Sequence, residues 1–255
     1  MYRNKCRYRY VIANKYRLFK KLYRQLIVAM FCVNLVGCTN GTLSSTGSNS
    51  GFNSGFQQLY QFNGTTSNVI ISGTSQSFTV MTVEFFFQTT LFVNQYLLST
   101  NFSSIYININ AAGQVGVDAP NTTCAGNFGL QATAAAYNDG NMHHLAATFN
   151  SAGAHYLFID GVQVLSFTPT AYGSCTLTSL YIGSNLAATN WFNGKMDEFR
   201  VSSNIRYTGN FSVPAAPFQN DLSTLDLFHF NTSQTNDSLT GGGIYNPINI
   251  TIINR

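Results

Sequence analysis

The dipeptide Asp160-Gly161, set between Tyr156-Leu157-Phe158-Ile159 and Val162-Gln163-Val164, constrains the fold of this chain more than any other feature. Asp-Gly accepts the positive φ angles of a tight type I′ turn, so the flanking runs are predicted to form an antiparallel hairpin. The same pattern, short apolar alternation bounded by Gly, Asn, Asp or Ser, recurs from Phe56 onward, and no stretch keeps a 3.6-residue period for three turns. Strands are expected over residues 59–62, 68–71, 78–88, 95–99, 104–108, 114–117, 143–149, 155–159, 162–167, 177–182, 195–201, 225–230 and 248–253. So many strands in about 200 residues call for an all-β domain of two packed antiparallel sheets.

Charge placement narrows the partners. Of 13 Lys and Arg, nine precede Gln25 (Arg3, Lys5, Arg7, Arg9, Lys15, Arg17, Lys20, Lys21 and Arg24), and no acid does. From Cys38 onward four cations, Lys195, Arg200, Arg206 and Arg255, stand against nine acids, a net of −5. The formal +4 of the whole chain therefore belongs to its first residues, and the remainder lacks the basic stripe that a phosphate backbone needs. Nucleic acid is excluded as a partner of the folded part.

The basic segment runs into an apolar stretch, residues 26–37. As a helix it would reach roughly 18 Å, short of the roughly 30 Å hydrocarbon core, so residues 1–37 are expected to be a signal peptide rather than a membrane span. The stretch ends in Leu35-Val36-Gly37-Cys38, which resembles the bacterial lipobox. That resemblance implies cleavage before Cys38, lipidation of its thiol, and a protein anchored in the membrane of the cell envelope. Thr39, rather than Asp, after the Cys implies the outer membrane or cell surface. The same residues also suit an ordinary cleaved signal with no lipid on Cys38. Residues 39–55, rich in Gly, Ser, Asn and Thr, read with Cys38 as a flexible linker of about 23 Å root-mean-square reach. The folded domain is expected over 56–255. Cys124 and Cys175 then remain as an even pair, either bridged in an oxidising compartment, for about 4 kcal/mol in the chain-entropy model, or two buried thiols.

Within the folded part the landmarks come in order. They are Thr82-Val83-Glu84-Phe85, Gly140-Asn141-Met142-His143-His144-Leu145-Ala146, the hairpin Tyr156 to Val162, Leu180-Tyr181-Ile182-Gly183, and Phe192-Asn193-Gly194-Lys195-Met196-Asp197-Glu198-Phe199-Arg200-Val201. Their sequence resembles the laminin-G-like, concanavalin A-like jelly-roll domains over about residues 58–232, with Met142 in place of a usual Trp. Residues 205–211, Ile-Arg-Tyr-Thr-Gly-Asn-Phe, with Pro214 and Pro217, resemble the extension of bacterial and phage-associated members. The resemblance implies an antiparallel two-sheet jelly-roll sandwich.

Few residues suggest chemistry. Met196 and Phe199 are three apart, so alternation fails at Asp197-Glu198 and the strand is expected to bulge there. Those acids either bind metal or act as a catalytic pair, or else brace Lys195, Arg200 and Arg206. Related glucanases use closely spaced carboxylates on one strand; here the two Glu, Glu84 and Glu198, lie on separate segments, and no catalytic residue is assigned. His143 and His144 are adjacent, so a regular strand points them to opposite faces and they do not grip one ion. The family position implies one imidazole buried and the other near the surface. Calcium is the one cofactor the resemblance implies. Asp118, Asn121, Asp139 and Asn141 supply hard oxygens for it, or merely shape turns. Trp191, the only Trp, sits between Asn190 and Phe192-Asn193. Either it stacks a sugar ring while the amides of Asn190 and Asn193 read hydroxyls, or it plugs the core beside Phe192.

The expected function is a surface-anchored, non-catalytic recognition module for glycan or for an envelope or host protein. The alternatives are a degenerate glycoside hydrolase and a structural or assembly protein.

Overall fold

A computed structural model describes residues 58–101, 105–119, 128–168, 175–231 and 243–254. The expected leader and linker, Cys38, Asn121 and Cys124 lie outside the described residues, and with Cys124 so does the expected disulfide. Among the described residues fifteen strands form two antiparallel sheets, so the predicted jelly-roll sandwich is what the chain builds. The first sheet takes β1 (Gln58–Asn63), β3 (Val80–Gln88), β8 (His143–Asn150), β9 (His155–Ile159), β10 (Val162–Phe167), β12 (Asn193–Ser202) and β15 (Thr251–Asn254). Its order is β10-β9-β8-β3-β12-β1-β15, with β13 (Thr224–Phe228) also paired to β12. The second takes β2 (Asn68–Phe78), β4 (Gln95–Thr100), β5 (Tyr106–Ile109), β6 (Gln114–Ala119), β7 (Phe128–Ala136), β11 (Cys175–Ile182) and β14 (Ile244–Ile248). Its order is β14-β2-β11-β4-β5-β6-β7.

Three expectations are corrected. β7 was not foreseen, because Phe128–Ala136 reads FGLQATAAA and its alanines and glycine carry little strand signal. The expected strand 248–253 is two strands in different sheets, β14 and β15, with Asn249 between them at φ 51°. Phe78 ends β2, and Val80 begins β3 one residue later. The Asp-Gly hairpin is present as read: Val162 pairs with Ile159, Asp160 has φ 52° and Gly161 φ 76°.

The core lies between the sheets. On β3, Met81, Val83, Phe85 and Phe87 point into it, as a period of two requires. The intervening Thr82, Glu84 and Phe86 face outward yet are also buried. A strap made of the residues after β12 covers them. Phe218 stacks on Phe86 at 5.8 Å between centroids, Phe211 meets Phe158 at 5.5 Å, and Tyr207 stacks on Phe211 at 3.6 Å. Each fully buried Phe is worth about 2 to 3 kcal/mol, so this second, smaller apolar layer fixes the strap to the sheet.

The bulge expected in β12 is also there. Asp197 pairs with Phe86 and Arg200 with Glu84, so three residue steps on β12 oppose two on β3, and Glu198 sits at φ 49°. Met196 and Phe199 thereby both reach the core.

Candidate functional site

Loops gather at the end of the sandwich where β3 leaves for β4 and β11 leaves for β12. Residues 183–192 are pinned there by their own backbone. Gly183 N–H donates to Leu97 O (3.0 Å), Phe192 N–H to Gly183 O (2.8 Å), and Tyr96 N–H to Asn190 O (2.9 Å). The Asn185 side chain closes the loop from within, accepting from Thr189 N–H and donating to Thr189 Oγ1, both at 2.8 Å. Ala188 and Asn190 take φ near 50°, a conformation Asn tolerates better than most residues. The loop is therefore shaped before any ligand arrives.

Phe192 is the residue that plugs the core: it is fully buried and meets Phe62 edge-on at 5.6 Å. Trp191 beside it is only partly buried, and Asn190 is exposed. Asn193 holds the scaffold. Its N–H donates to Gln95 Oε1 (2.7 Å), its Nδ2 to Asn63 O (3.1 Å), and its carbonyl accepts from Thr89 Oγ1 (2.7 Å). At the same end the loop after β3 shows Leu91, Phe92 and Val93, with Phe92 69% exposed, and Leu186 stands out of the pinned loop at 44%. The site is thus an aromatic and aliphatic rim interleaved with amides. Phe92 and Leu186 were not singled out in the sequence, where nothing distinguishes an exposed apolar loop residue from a core one.

Of the expected calcium ligands the structure describes Asp118, Asp139 and Asn141, and it sets Asp118 apart from the other two. Asp118 lies on β6, which pairs with β7 so that Gln114 faces Ala136. Four residues, about 13 Å of strand, separate Asp118 from the end of that hairpin where Asp139 and Asn141 follow. Both oxygens of Asp139 are engaged, Oδ1 by Asn141 N–H (2.8 Å) and His143 Nε2 (3.0 Å), Oδ2 by Asn141 Nδ2 (2.8 Å). Asn121 lies outside the described residues. Among the described residues no group of three or more His, Cys, Asp or Glu is placed to hold a metal ion.

His143 and His144 point to opposite faces. His143 is caught between two carboxylates, Asp160 at Nδ1 (2.7 Å) and Asp139 at Nε2 (3.0 Å). Burial pulls its pKa down, but the hydrogen bonds and charges of Asp160 and Asp139 outweigh that and hold it above the ordinary value. His144 is fully buried under the strap, 3.4 Å from Glu84.

One of the carboxylates weighed as a catalytic or bracing pair, Glu198, is engaged by other groups. Glu198 accepts from Phe218 N–H and from His229 Nδ1, each at 2.8 Å, so it tethers the strap. Glu84 pairs with Arg200, through Nη2 at 2.6 Å and Nε at 2.8 Å, and it also accepts from Tyr207 OH at 2.8 Å. Arg206 turns to Asp221, at 2.9 Å on both oxygens. Glu84 is fully buried and Glu198 nearly so.

A family model described as the concanavalin A-like lectin/glucanases superfamily, with a laminin G designation, matches residues 63–206. No curated protein matches the chain. Among solved structures, a proposed carbohydrate binding protein from Bacteroides ovatus ATCC 8483 superposes with a TM-score of 0.57 at 17% identity, covering 78% of this chain. This chain spans 60% of that protein's length. A native heptameric SAP-like pentraxin from Limulus polyphemus superposes with a TM-score of 0.50 at 11% identity, covering 78% of this chain and 94% of the other. At these identities both likenesses speak to the fold.

Proposed function

The chain belongs to the concanavalin A-like lectin/glucanases superfamily, and from that premise we propose that it is a non-catalytic recognition module, anchored at the cell surface, that binds a glycan with the loop end of its sandwich. The observation that carries this reading is the pinned loop 183–192, which leaves Trp191 only partly buried beside exposed Asn190 while Phe192 fills the core. An aromatic ring offers its face to the C–H side of a pyranose, and a loop already held by hydrogen bonds orders little on binding. The name of the Bacteroides ovatus protein points the same way. A host or envelope protein is the second class of partner that such a rim accepts. Catalysis is disfavoured because Glu84 and Glu198 are buried and hydrogen-bonded.

The test is a glycan array followed by Trp191→Ala. Loss of an anchoring aromatic weakens binding by about 2 kcal/mol or more, roughly thirtyfold, when the ring is a hot spot. Thermal unfolding is measured first, because a drop of about 3 kcal/mol in stability would return Trp191 to the core and sink the loop as a binding site.

Anchoring through an acylated Cys38, with residues 39–55 as the spacer, belongs to the same proposal and rests on the Leu35-Val36-Gly37-Cys38 sequence.

A further inference from the structure

Exposed apolar side chains are not spread evenly over this sandwich. Of the eight large ones exposed among the described residues, four, Leu91, Phe92, Val93 and Leu186, belong to the two loops at the loop end. The other four stand singly on β7, β10, the strap and β14. Single exposed hydrophobics are ordinary on a protein surface, whereas a cluster marks a contact. The two loops are clasped to each other. Tyr96 N–H donates to Asn190 O (2.9 Å), Thr89 Oγ1 to Asn193 O (2.7 Å) and Asn193 N–H to Gln95 Oε1 (2.7 Å).

Neither loop, 89–94 nor 183–193, holds a charged residue or a histidine. Asp139, brought near by the bond from Gly140 N–H to Thr89 O (3.1 Å), is occupied by Asn141 and His143. The loops therefore offer no cation to an anionic headgroup, and no charge that acyl chains would have to strip of water. The backbone also meets the demand that hydrocarbon makes, since no water is there to bond it. At Leu91 the N–H donates to Thr89 Oγ1 (3.3 Å) and the carbonyl accepts from Asn138 Nδ2 (3.2 Å). Past Val93, Asn94 Oδ1 accepts from Ala111 N–H (3.1 Å). These side chains thus stand on a loop that needs no refolding to enter lipid. An indole beside amides, as Trp191 is in the neighbouring loop, suits the level where headgroups meet acyl chains.

The topology sets the direction of this tip. β1 begins at Gln58, opposite Asn254 of β15, and runs to Asn63, opposite Asn193. Five residue steps, about 17 Å of strand, lie between the two ends. A tether attached ahead of Gln58 therefore enters the sandwich at the end away from Phe92, and the tip faces a surface other than the one that carries the tether.

We propose that the loop end is a lipid-inserting tip, with Leu91, Phe92, Val93 and Leu186 entering the headgroup and outer acyl region of an uncharged phospholipid bilayer that faces the protein. The inference goes beyond the glycan reading and depends on no sugar.

The full-length protein is fixed to glass by a C-terminal tag, since β15 ends beside Gln58, and fluorescent vesicles of phosphatidylcholine are passed over it. Capture is expected at low and high salt alike. Phe92→Ser should capture about tenfold fewer vesicles at an unchanged melting temperature, because the ring it removes is exposed. Both proteins carry the same basic leader, so the difference between them isolates the tip. If Phe92→Ser lowers the melting temperature, Phe92→Trp decides instead. Its fluorescence should be quenched by brominated acyl chains more than that of the unaltered protein, whose sole Trp is Trp191. Equal capture by Phe92→Ser, or no added quenching, overturns the tip. Capture that requires anionic lipid and fades with salt belongs to the basic leader and also overturns it. Absence of capture, with self-association in sedimentation that Phe92→Ser abolishes, gives the cluster to a second copy and overturns the lipid assignment. The glycan reading survives each of these results, since it falls only with the array and Trp191→Ala.

Discussion

Glu84 and Arg200 face each other across the β3–β12 pair, with Arg200 Nη2 2.6 Å from Glu84 Oε1, both side chains sealed beneath the strap. Removing one partner of a buried pair strands the other charge without water, a loss of about 3 to 5 kcal/mol. Arg200→Met should therefore lower the free energy of unfolding by about that much in a urea titration, and also lose the packing of the guanidinium on the Phe218 ring at 4.6 Å. Burial alone would raise the Glu84 pKa, but the His144 hydrogen bond, the Arg200 charge and the Tyr207 hydroxyl bring it below the ordinary value. Its contribution is thus present above the unfolded carboxylate pKa, about 4.3, and is lost as pH falls through the lower folded value. Arg200→Met should flatten the acid limb of stability against pH; an unchanged limb would count against the pairing.

His143 sets the opposite dependence. Its folded pKa is raised by Asp160 and Asp139 against the pull of burial, so its stabilisation is full below the unfolded value of about 6.5 and fades as pH climbs through the folded one. The melting temperature of the unaltered protein should decline between about pH 6 and pH 9 by an increment missing in His143→Gln. Both aspartates are about half exposed, so the increment is small, below about 1 kcal/mol. Equal declines in the two proteins would refute the clamp.

Gly161 is required twice. It takes φ 76° in the hairpin turn, and a Cβ on it would fall 2.0 Å from Phe211 O, while Phe211 N–H donates to Gly161 O at 2.9 Å. Gly161→Ala should cost about 2 kcal/mol or more. Gly161→Asn, which eases only the backbone angle, should be no better. Recovery of stability with Asn would mean that the turn alone, not the strap, demands glycine.

Cys38→Ser tests the anchor. Metabolic labelling with a palmitate analogue should mark the unaltered protein and leave the variant unmarked, unprocessed or released from the membrane. Equal labelling of both would end the lipoprotein reading, which rests on the lipobox-like sequence alone.

What the sequence determined by itself was local and periodic. Asp160-Gly161 dictated a hairpin because few dipeptides accept its backbone angles, and the three-residue interval between Met196 and Phe199 dictated a bulge because both side chains had to reach one face. The alternation of apolar residues dictated two sheets, and the ordered landmarks dictated which sandwich. Where propensity was weak, as in the alanines of β7, even a nine-residue strand passed unread. Trp191 and Phe192 were known to be neighbours, but which of them filled the core was settled only by packing against Phe62. Tertiary structure alone decided that Glu84 meets Arg200, 116 positions away, and that Tyr181, Ser99, Tyr106 and Asp118 line up on four strands. The reason is register: hydrogen bonding between strands distant in the chain sets which residues share a rung, and a slip of one residue sends every side chain of a strand to the other face.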